Sequence, residues 1–90
     1  MTISNPAKNV RIDGRRTSIR LEPPLWEALR EIARAEGMDV DTLVSRVEPY
    51  RRNRGRTSVL RAFIVSYLVQ RAFNDGDVRH SPYHHALEAL

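Results

Sequence analysis

The stretch from Arg15 to Leu29 constrains the fold most, because the spacing of its apolar residues changes in the middle. Its first half alternates, with Arg16, Ser18 and Arg20 on one side and Thr17, Ile19 and Leu21 on the other. An alternation of this kind is typical of a strand with one buried face. We therefore predict a strand over about residues 15–22 that exposes two arginines and a serine.

A helix is predicted directly after this strand. Pro23 and Pro24 have the fixed φ that suits the first turn of a helix, and apolar residues then recur every three or four positions. Gly37 can take the left-handed conformation that ends a helix, which places this first helix at about residues 23–36.

A second helix is predicted after Asp39, whose side chain suits a helix cap. Apolar residues recur at helical spacing from Val40 to Val47. Pro49 disfavours helical geometry in the residue before it, so this helix is limited to about residues 40–48.

The third predicted helix covers about residues 58–73 and follows a cap at Thr57 or Ser58. It is apolar on more than one face, so it needs cover on several sides. In so small a chain we expect this cover from a partner subunit or from a second dimer. Residues 74–90 are predicted to be a C-terminal tail, with room for one short helix.

A lone strand leaves backbone N–H and C=O groups unpaired, so it needs a second strand. The second copy of the protein is the donor we expect, which implies an obligate intertwined dimer. The dipeptide Asp13-Gly14 is a hairpin-turn signal and leaves an alternative open. Val10 to Ile12 either form an accessory strand or remain a flexible basic arm that touches phosphate. An accessory strand gives each subunit a small hairpin, whose main strand pairs across the dimer on its other edge. Residues 1–9 are predicted to be flexible.

The order of strand, helix and helix resembles the ribbon-helix-helix (Arc/MetJ-type) DNA-binding proteins over about residues 10–73. The segments TSIRLEPPLWEALREIA, EGMDVDTLVSRV and TSVLRAFIVSYL are similar to a bacterial subgroup that carries an extra C-terminal helix. The resemblance implies a mostly α fold with one N-terminal β-strand. In such a fold, strands from two subunits pair into an antiparallel ribbon that enters the major groove of DNA.

Base reading is assigned to the exposed side of the strand, Arg16, Ser18 and Arg20. Two guanidinium forks and a hydroxyl spaced by about 7 Å suit base edges in a DNA groove. The candidates for phosphate binding are two arginine clusters and, by the resemblance, the start of the second helix: Arg11, Arg15, Arg51, Arg52, Arg54, Arg56, Val40 and Asp41. If backbone N–H groups there hold a phosphate, the neighbouring carboxylates of Asp39 and Asp41 must point away.

Composition narrows the class of protein. The chain has 15 basic and 11 acidic residues, and its net charge of +4 favours nucleic acid as a partner without requiring it. The absence of cysteine excludes disulfides and thiolate metal sites and fits the cytoplasm. No apolar run is long enough to span a bilayer, so we expect a soluble cytoplasmic protein without a membrane partner.

Neither catalysis nor a metal site is predicted. The chain has no glycine-rich phosphate loop and no G-x-S-x-G motif. His80, His84 and His85 are the candidate metal ligands, but Pro82 lies between them and adjacent histidines on a helix face different ways. We expect no cofactor.

These features predict a sequence-specific transcriptional regulator, a repressor, that binds double-stranded DNA as a homodimer. A tetramer is the alternative if the third helices associate. The alternative function is a protein-interaction module, such as an antitoxin or an adaptor, that uses the apolar third helix.

Overall fold

The computed structural model describes residues 7–73 and 81–90, in which a two-stranded antiparallel ribbon precedes four helices. The elements are β1 (Ala7–Ile12), β2 (Arg15–Arg20), α1 (Pro23–Ala35), α2 (Val40–Val47), α3 (Arg56–Phe73) and α4 (Pro82–Glu88). A short 3-10 turn over Glu48–Tyr50 follows α2. The mostly helical fold with an N-terminal ribbon, predicted from the sequence, is confirmed.

The two strands form a hairpin within one chain. Asp13 and Gly14 have φ values of 50° and 83°, and a two-residue turn with both φ values positive matches the twist of the strands it joins. The alternative of an accessory strand within the chain is therefore correct, and the expectation of a single strand is wrong. Pairing of β2 with a second copy, on its other edge, stays a prediction. The strand β1 also begins at Ala7, so residues 7–9 are not part of a flexible arm.

The loop between α1 and α2 has the predicted geometry. Gly37 has φ 73°, its N–H donates to the Arg34 carbonyl at 3.1 Å, and the Met38 N–H donates to the Ala33 carbonyl at 2.9 Å. These two bonds satisfy carbonyls at the end of α1. Asp39 then caps α2, because its carboxylate accepts the Thr42 N–H at 2.8 Å.

The start of α3 differs from the prediction. The helix begins at Arg56, and the Val59 N–H already donates to the Gly55 carbonyl at 3.1 Å. Thr57 and Ser58 therefore lie inside the first turn, and neither of them caps the helix. The polar side chains alone suggested a start two residues too late.

The core is closed within one chain. Among the described residues it contains 19 apolar residues that are between 0 and 8 % exposed, and apart from Leu21, which lies between β2 and α1, they come from the strands and helices. Tyr83, Ala86 and Leu87 of α4 belong to this core, so α4 covers one face of α3. The expectation that this cover comes from a partner subunit is wrong for that face. Trp26 of α1 also lies in the core of its own chain.

One face of α3 stays uncovered. Val65, Leu68, Val69 and Phe73 are 57, 37, 43 and 83 % exposed, and their spacing places them along one side of the helix. We call these four residues the α3 stripe. In the part of the chain that the structure describes, they are four of the five exposed large apolar residues, the fifth being Tyr50.

Candidate DNA-binding surface

The ribbon has one buried and one exposed face, as the alternation in the sequence predicts. Val10, Ile12 and Ile19 point into the core and are 4, 6 and 3 % exposed. The opposite face carries Asn9, Arg11, Arg16, Ser18 and Arg20, all exposed. We call this set the outer ribbon face. Burial of the apolar side leaves these polar side chains no direction other than away from the core.

Cross-strand pairing places Arg11 beside the three predicted base-reading residues. Arg11 lies opposite Arg16, Asn9 opposite Ser18, and Ala7 opposite Arg20. Residues directly opposite in an antiparallel pair share one face of the sheet. Neither strand contains an acidic residue, so the strands themselves supply no carboxylate to neutralise the three arginines of this face.

Side chains of α2 cover the outer edge of β1 near the turn, at Arg11 and Asp13. The Asp41 carboxylate accepts the Arg11 N–H at 3.0 Å. The Ser45 hydroxyl accepts the Asp13 N–H at 3.1 Å and donates to the Arg11 carbonyl at 3.2 Å. These bonds fix β1 on the body of the protein and satisfy backbone groups that would otherwise form an open sheet edge.

The same bonds reveal the pairing pattern of the ribbon. Because the N–H and C=O of Arg11 point toward α2, Arg11 and Arg16 form a pair without mutual backbone hydrogen bonds. By the alternation of an antiparallel ladder, the backbone groups of Arg16 and Ser18 point away from β1. Within residues 7–73 and 81–90 these groups have no hydrogen-bond partner, so β2 forms the open edge of the ribbon.

The predicted phosphate site at the start of α2 contains Val40 and Asp41. The Asp41 carboxylate points to β1, and the Asp39 carboxylate points to the Thr42 N–H. That backbone hydrogen bond lowers the pKa of Asp39, so its negative charge persists at the helix start. Both carboxylates are directed at internal donors, but their charge remains within one turn of any phosphate. Phosphate binding at this position stays a prediction.

The arginines between α2 and α3 are mostly engaged in internal contacts. Arg51 and Arg56 pair with the Glu48 carboxylate at 3.4 and 3.0 Å. The Arg54 guanidinium donates to the carbonyls of Tyr50 and Leu90, at 2.8 Å each, and so ties this turn to the end of α4. Three of the four predicted phosphate ligands in this cluster therefore have a role in the fold.

Arg52 differs from its neighbours. It is exposed, has φ 56°, and forms no hydrogen bond or ion pair with a described residue. It is the member of this cluster best placed to neutralise a phosphate. Arg15, by contrast, pairs with Ile12 and so belongs to the core side of the ribbon, where it lines a depression with Glu48 and Arg56. The structure does not bring Arg15 onto the outer ribbon face.

Asn9 was missed by the sequence analysis. The signal that places it is the Asp13-Gly14 turn, because a two-residue turn sets the register and puts Asn9 opposite Ser18. His80 lies outside the described residues. His84 and His85 are exposed on α4, and no group of three or more metal-binding side chains occurs in the described ranges.

Comparison with known proteins identifies the class. The sequence pattern of the family described as the ribbon-helix-helix domain matches residues 6–68 of the chain. The solved structure of an uncharacterized protein from Bordetella pertussis Tohama I is similar, with a TM-score of 0.67 and 31 % sequence identity over 93 % of this chain and 75 % of that chain. No curated protein matches the chain. The chain belongs to the ribbon-helix-helix family, as its sequence suggested.

Membership of this family establishes the general class of activity. Ribbon-helix-helix proteins are typically DNA-binding regulators, bind DNA as dimers, and have a fold that is regulatory rather than catalytic. None of the described helices is long and apolar enough to cross a membrane.

Proposed function

We propose that the chain is a sequence-specific transcriptional repressor that inserts its β1–β2 hairpin into the major groove of double-stranded DNA. The outer ribbon face carries this proposal, because it presents Arg11, Arg16 and Arg20 together on a rigid two-stranded ribbon. The major groove is about 12 Å wide and admits a two-stranded ribbon. Repression follows from occupancy, since a protein on an operator blocks the polymerase.

The residues of this face have different roles. Arg16 and Arg20 offer planar forks that match guanine O6 and N7, and Ser18 can bond to several bases. Arg11 lies at the covered edge of the hairpin, where the walls of the groove bring the phosphates close. Arg52 is the candidate for a further phosphate contact. Base contacts then supply specificity, and the phosphate contacts supply affinity and position.

We also propose that the protein binds DNA as a homodimer that associates through the α3 stripe. The core is closed in one chain, so exchange of strands is not needed to bury it. Four exposed apolar side chains on one helix face provide the driving force for association, because burial of apolar surface is the main favourable contribution to such contacts. A dimer formed in this way presents two hairpins to two half-sites.

The test is selection of bound duplexes from random DNA, followed by affinity measurements on the selected site and on scrambled DNA. The test variant is Arg16→Ala with Arg20→Ala, and the control is Arg30→Ala with Arg34→Ala, which removes the same charge from the exposed side of α1. We expect the ribbon variant to lose the preference for the selected site and the control to keep it. If the wild-type protein selects no sequence, the proposed function is wrong.

The α3 stripe also supports a second candidate function, the docking of a different protein. An apolar patch of this kind on a small protein is typical of an interaction site. In that case the purified protein would be monomeric at micromolar concentration and would form a stoichiometric complex with a partner from its own cell. Sedimentation of the purified chain separates the two candidates.

A further inference from the structure

Asn9 occupies a central position on the outer ribbon face. It lies opposite Ser18, and the next residues on the same face are Arg11 along β1 and the pair of Arg16 and Arg20 along β2. A ligand that covers the β2 residues of this face therefore lies close to Asn9. Asn9 is exposed, so the protein itself does not use its amide in the core.

The type of pairing brings Asn9 close to Ser18. Arg11 and Arg16 form a pair without mutual backbone hydrogen bonds, and the pair two residues further along an antiparallel ladder is of the same type. In such pairs the Cα atoms are about 4.5 Å apart and the side chains are closer than in the hydrogen-bonded pairs. Asn9 and Ser18 are therefore close neighbours on the outer ribbon face.

The backbone around Asn9 is held on both sides. Before it, the Lys8 Nζ lies 5.5 Å from the centre of the Trp26 ring, on the core side of the ribbon. After it, the Arg11 backbone bonds to Asp41 and Ser45 of α2. Because the strand is anchored at these two neighbours, little additional conformational entropy is lost when the Asn9 side chain binds a ligand with a fixed pattern of donors and acceptors.

The asparagine amide carries one acceptor and two donor hydrogens, a combination that matches the N6 and N7 atoms of adenine in the major groove. Ala7, on the same face and opposite Arg20, is too small to shield a base from Asn9 or Arg20. We propose that Asn9 is a specificity-determining residue that recognises adenine beside the bases contacted from β2. This inference rests on the proposed function and adds that one chain reads DNA from both strands of its hairpin.

The experiment compares selected sequences for the wild-type protein, for Asn9→Ala and for Asn9→Gln. The control is Lys8→Met, which changes the neighbouring residue on the core side of the same strand. We expect the wild-type protein to select adenine at one position of each half-site and Asn9→Ala to lose that preference, by about tenfold or more, while its other preferences remain. Asn9→Gln keeps the amide on a longer stem and should retain or shift a preference for adenine.

The outcomes separate this inference from the proposed function. If Asn9→Ala selects the same sequences as the wild-type protein, Asn9 reads no base and the inference is wrong, while the proposed function stands. If Asn9→Ala weakens binding to all sequences alike, Asn9 contacts only the DNA backbone, and the inference is again wrong. If the wild-type protein selects no sequence, both proposals are wrong. Circular dichroism of each variant shows that the fold is intact.

Discussion

The phenolic oxygen of Tyr67 in α3 lies 2.7 Å from a carboxylate oxygen of Glu36 at the end of α1. The same carboxylate accepts the Ser81 hydroxyl, at 3.0 and 2.9 Å from its two oxygens, at the start of α4. One carboxylate therefore joins three helices. Burial raises the pKa of the Tyr67 phenol far above its ordinary value, and the hydrogen bond to Glu36 raises it further, because both disfavour the phenolate.

This contact predicts a loss of stability at alkaline pH. A group whose pKa is raised by folding contributes stability that is complete below its unfolded pKa, about 10 for tyrosine, and is lost as the pH rises toward the folded value. Tyr67→Phe should lower the free energy of unfolding at pH 7 by about 1.5 to 3 kcal/mol, the usual range for a hydrogen bond to a charged group. Above pH 10 the stability of this variant should decline less than that of the wild-type protein. Urea unfolding between pH 7 and 11 measures both effects.

The control is Ser81→Ala, which removes the other hydrogen bond to Glu36, together with the α4 cap that accepts the Tyr83 N–H, without removing a titrating phenol. It should lower the free energy of unfolding at pH 7 and leave the alkaline decline as steep as in the wild-type protein. An equally steep decline in Tyr67→Phe would show that other groups cause it.

The hairpin turn predicts a second result, at Gly14. Its φ is 83°, and apart from Gly14 and its two chain neighbours no described residue has an atom within 4 Å of the place that an alanine methyl group would take. Alanine would therefore meet no steric obstacle from the rest of the fold but would be held in an unfavourable backbone conformation. Gly14→Ala should therefore lower the free energy of unfolding by about 1 to 2 kcal/mol. Gly14→Asn adds a larger side chain but tolerates positive φ better, so it should cost less. Urea midpoints measure the difference, and equal losses would mean that backbone conformation is not the cause.

A third prediction separates base reading from phosphate binding. Arg20→Ala should weaken binding to the selected DNA site by about 1 to 3 kcal/mol per half-site and should relax the base preference at particular positions of that site. Arg52→Asn, chosen because asparagine tolerates positive φ, should weaken all sequences alike and reduce the slope of log affinity against log salt by about 0.9 per contact. Affinities over a salt series, on selected and scrambled DNA, measure both. If Arg20→Ala weakens the two DNAs equally, this arginine is a phosphate ligand.

The α3 stripe gives a fourth prediction. Val69→Lys places a charge in the middle of the stripe and should convert the dimer to a monomer that is still folded, because Val69 is already 43 % exposed in the single chain. The control is Glu27→Lys, a change toward positive charge on the exposed side of α1.

A competing dimer would form through the open edge of β2, and Ser18→Pro tests it. Proline removes an N–H that points away from β1, so the hairpin keeps its own hydrogen bonds while pairing with a second copy is blocked. Sedimentation of both variants decides between the two surfaces. If Ser18→Pro is monomeric and Val69→Lys is dimeric, the proposed role of the α3 stripe is wrong.

Local signals in the sequence were sufficient wherever neighbours along the chain determine the structure. The alternation around Ser18, the left-handed residue at Gly37 and the cap at Asp39 each depend on a few consecutive residues, and each lies where it was predicted. The exposure of Arg16, Ser18 and Arg20 follows from the same alternation. Their contact with DNA is a property of a complex and stays a prediction.

Contacts between distant residues were not predictable in this way. Arg54 looked like a solvated phosphate ligand, yet it bonds to the Leu90 carbonyl, 36 positions away. The helix α4 has seven residues, too few for a clear apolar period, and its place in the core depends on the faces that α3 presents. The apolar excess of α3 was recognised correctly, but sequence alone did not show that the same chain supplies part of its cover.

The contacts of Asp41 and Ser45 with β1 also determine how far the ribbon can extend. An exposed strand edge is a template for repeated edge-to-edge pairing, which leads to fibres. If a second copy paired through its own β2, both open edges would be used, and the enlarged sheet would end on each side at a β1 strand whose edge is bonded to α2 side chains at Arg11 and Asp13. Further pairing would therefore be obstructed at the turn end of each β1, where one carboxylate and one hydroxyl already bond the backbone, and this obstruction protects the basic protein from open-ended aggregation.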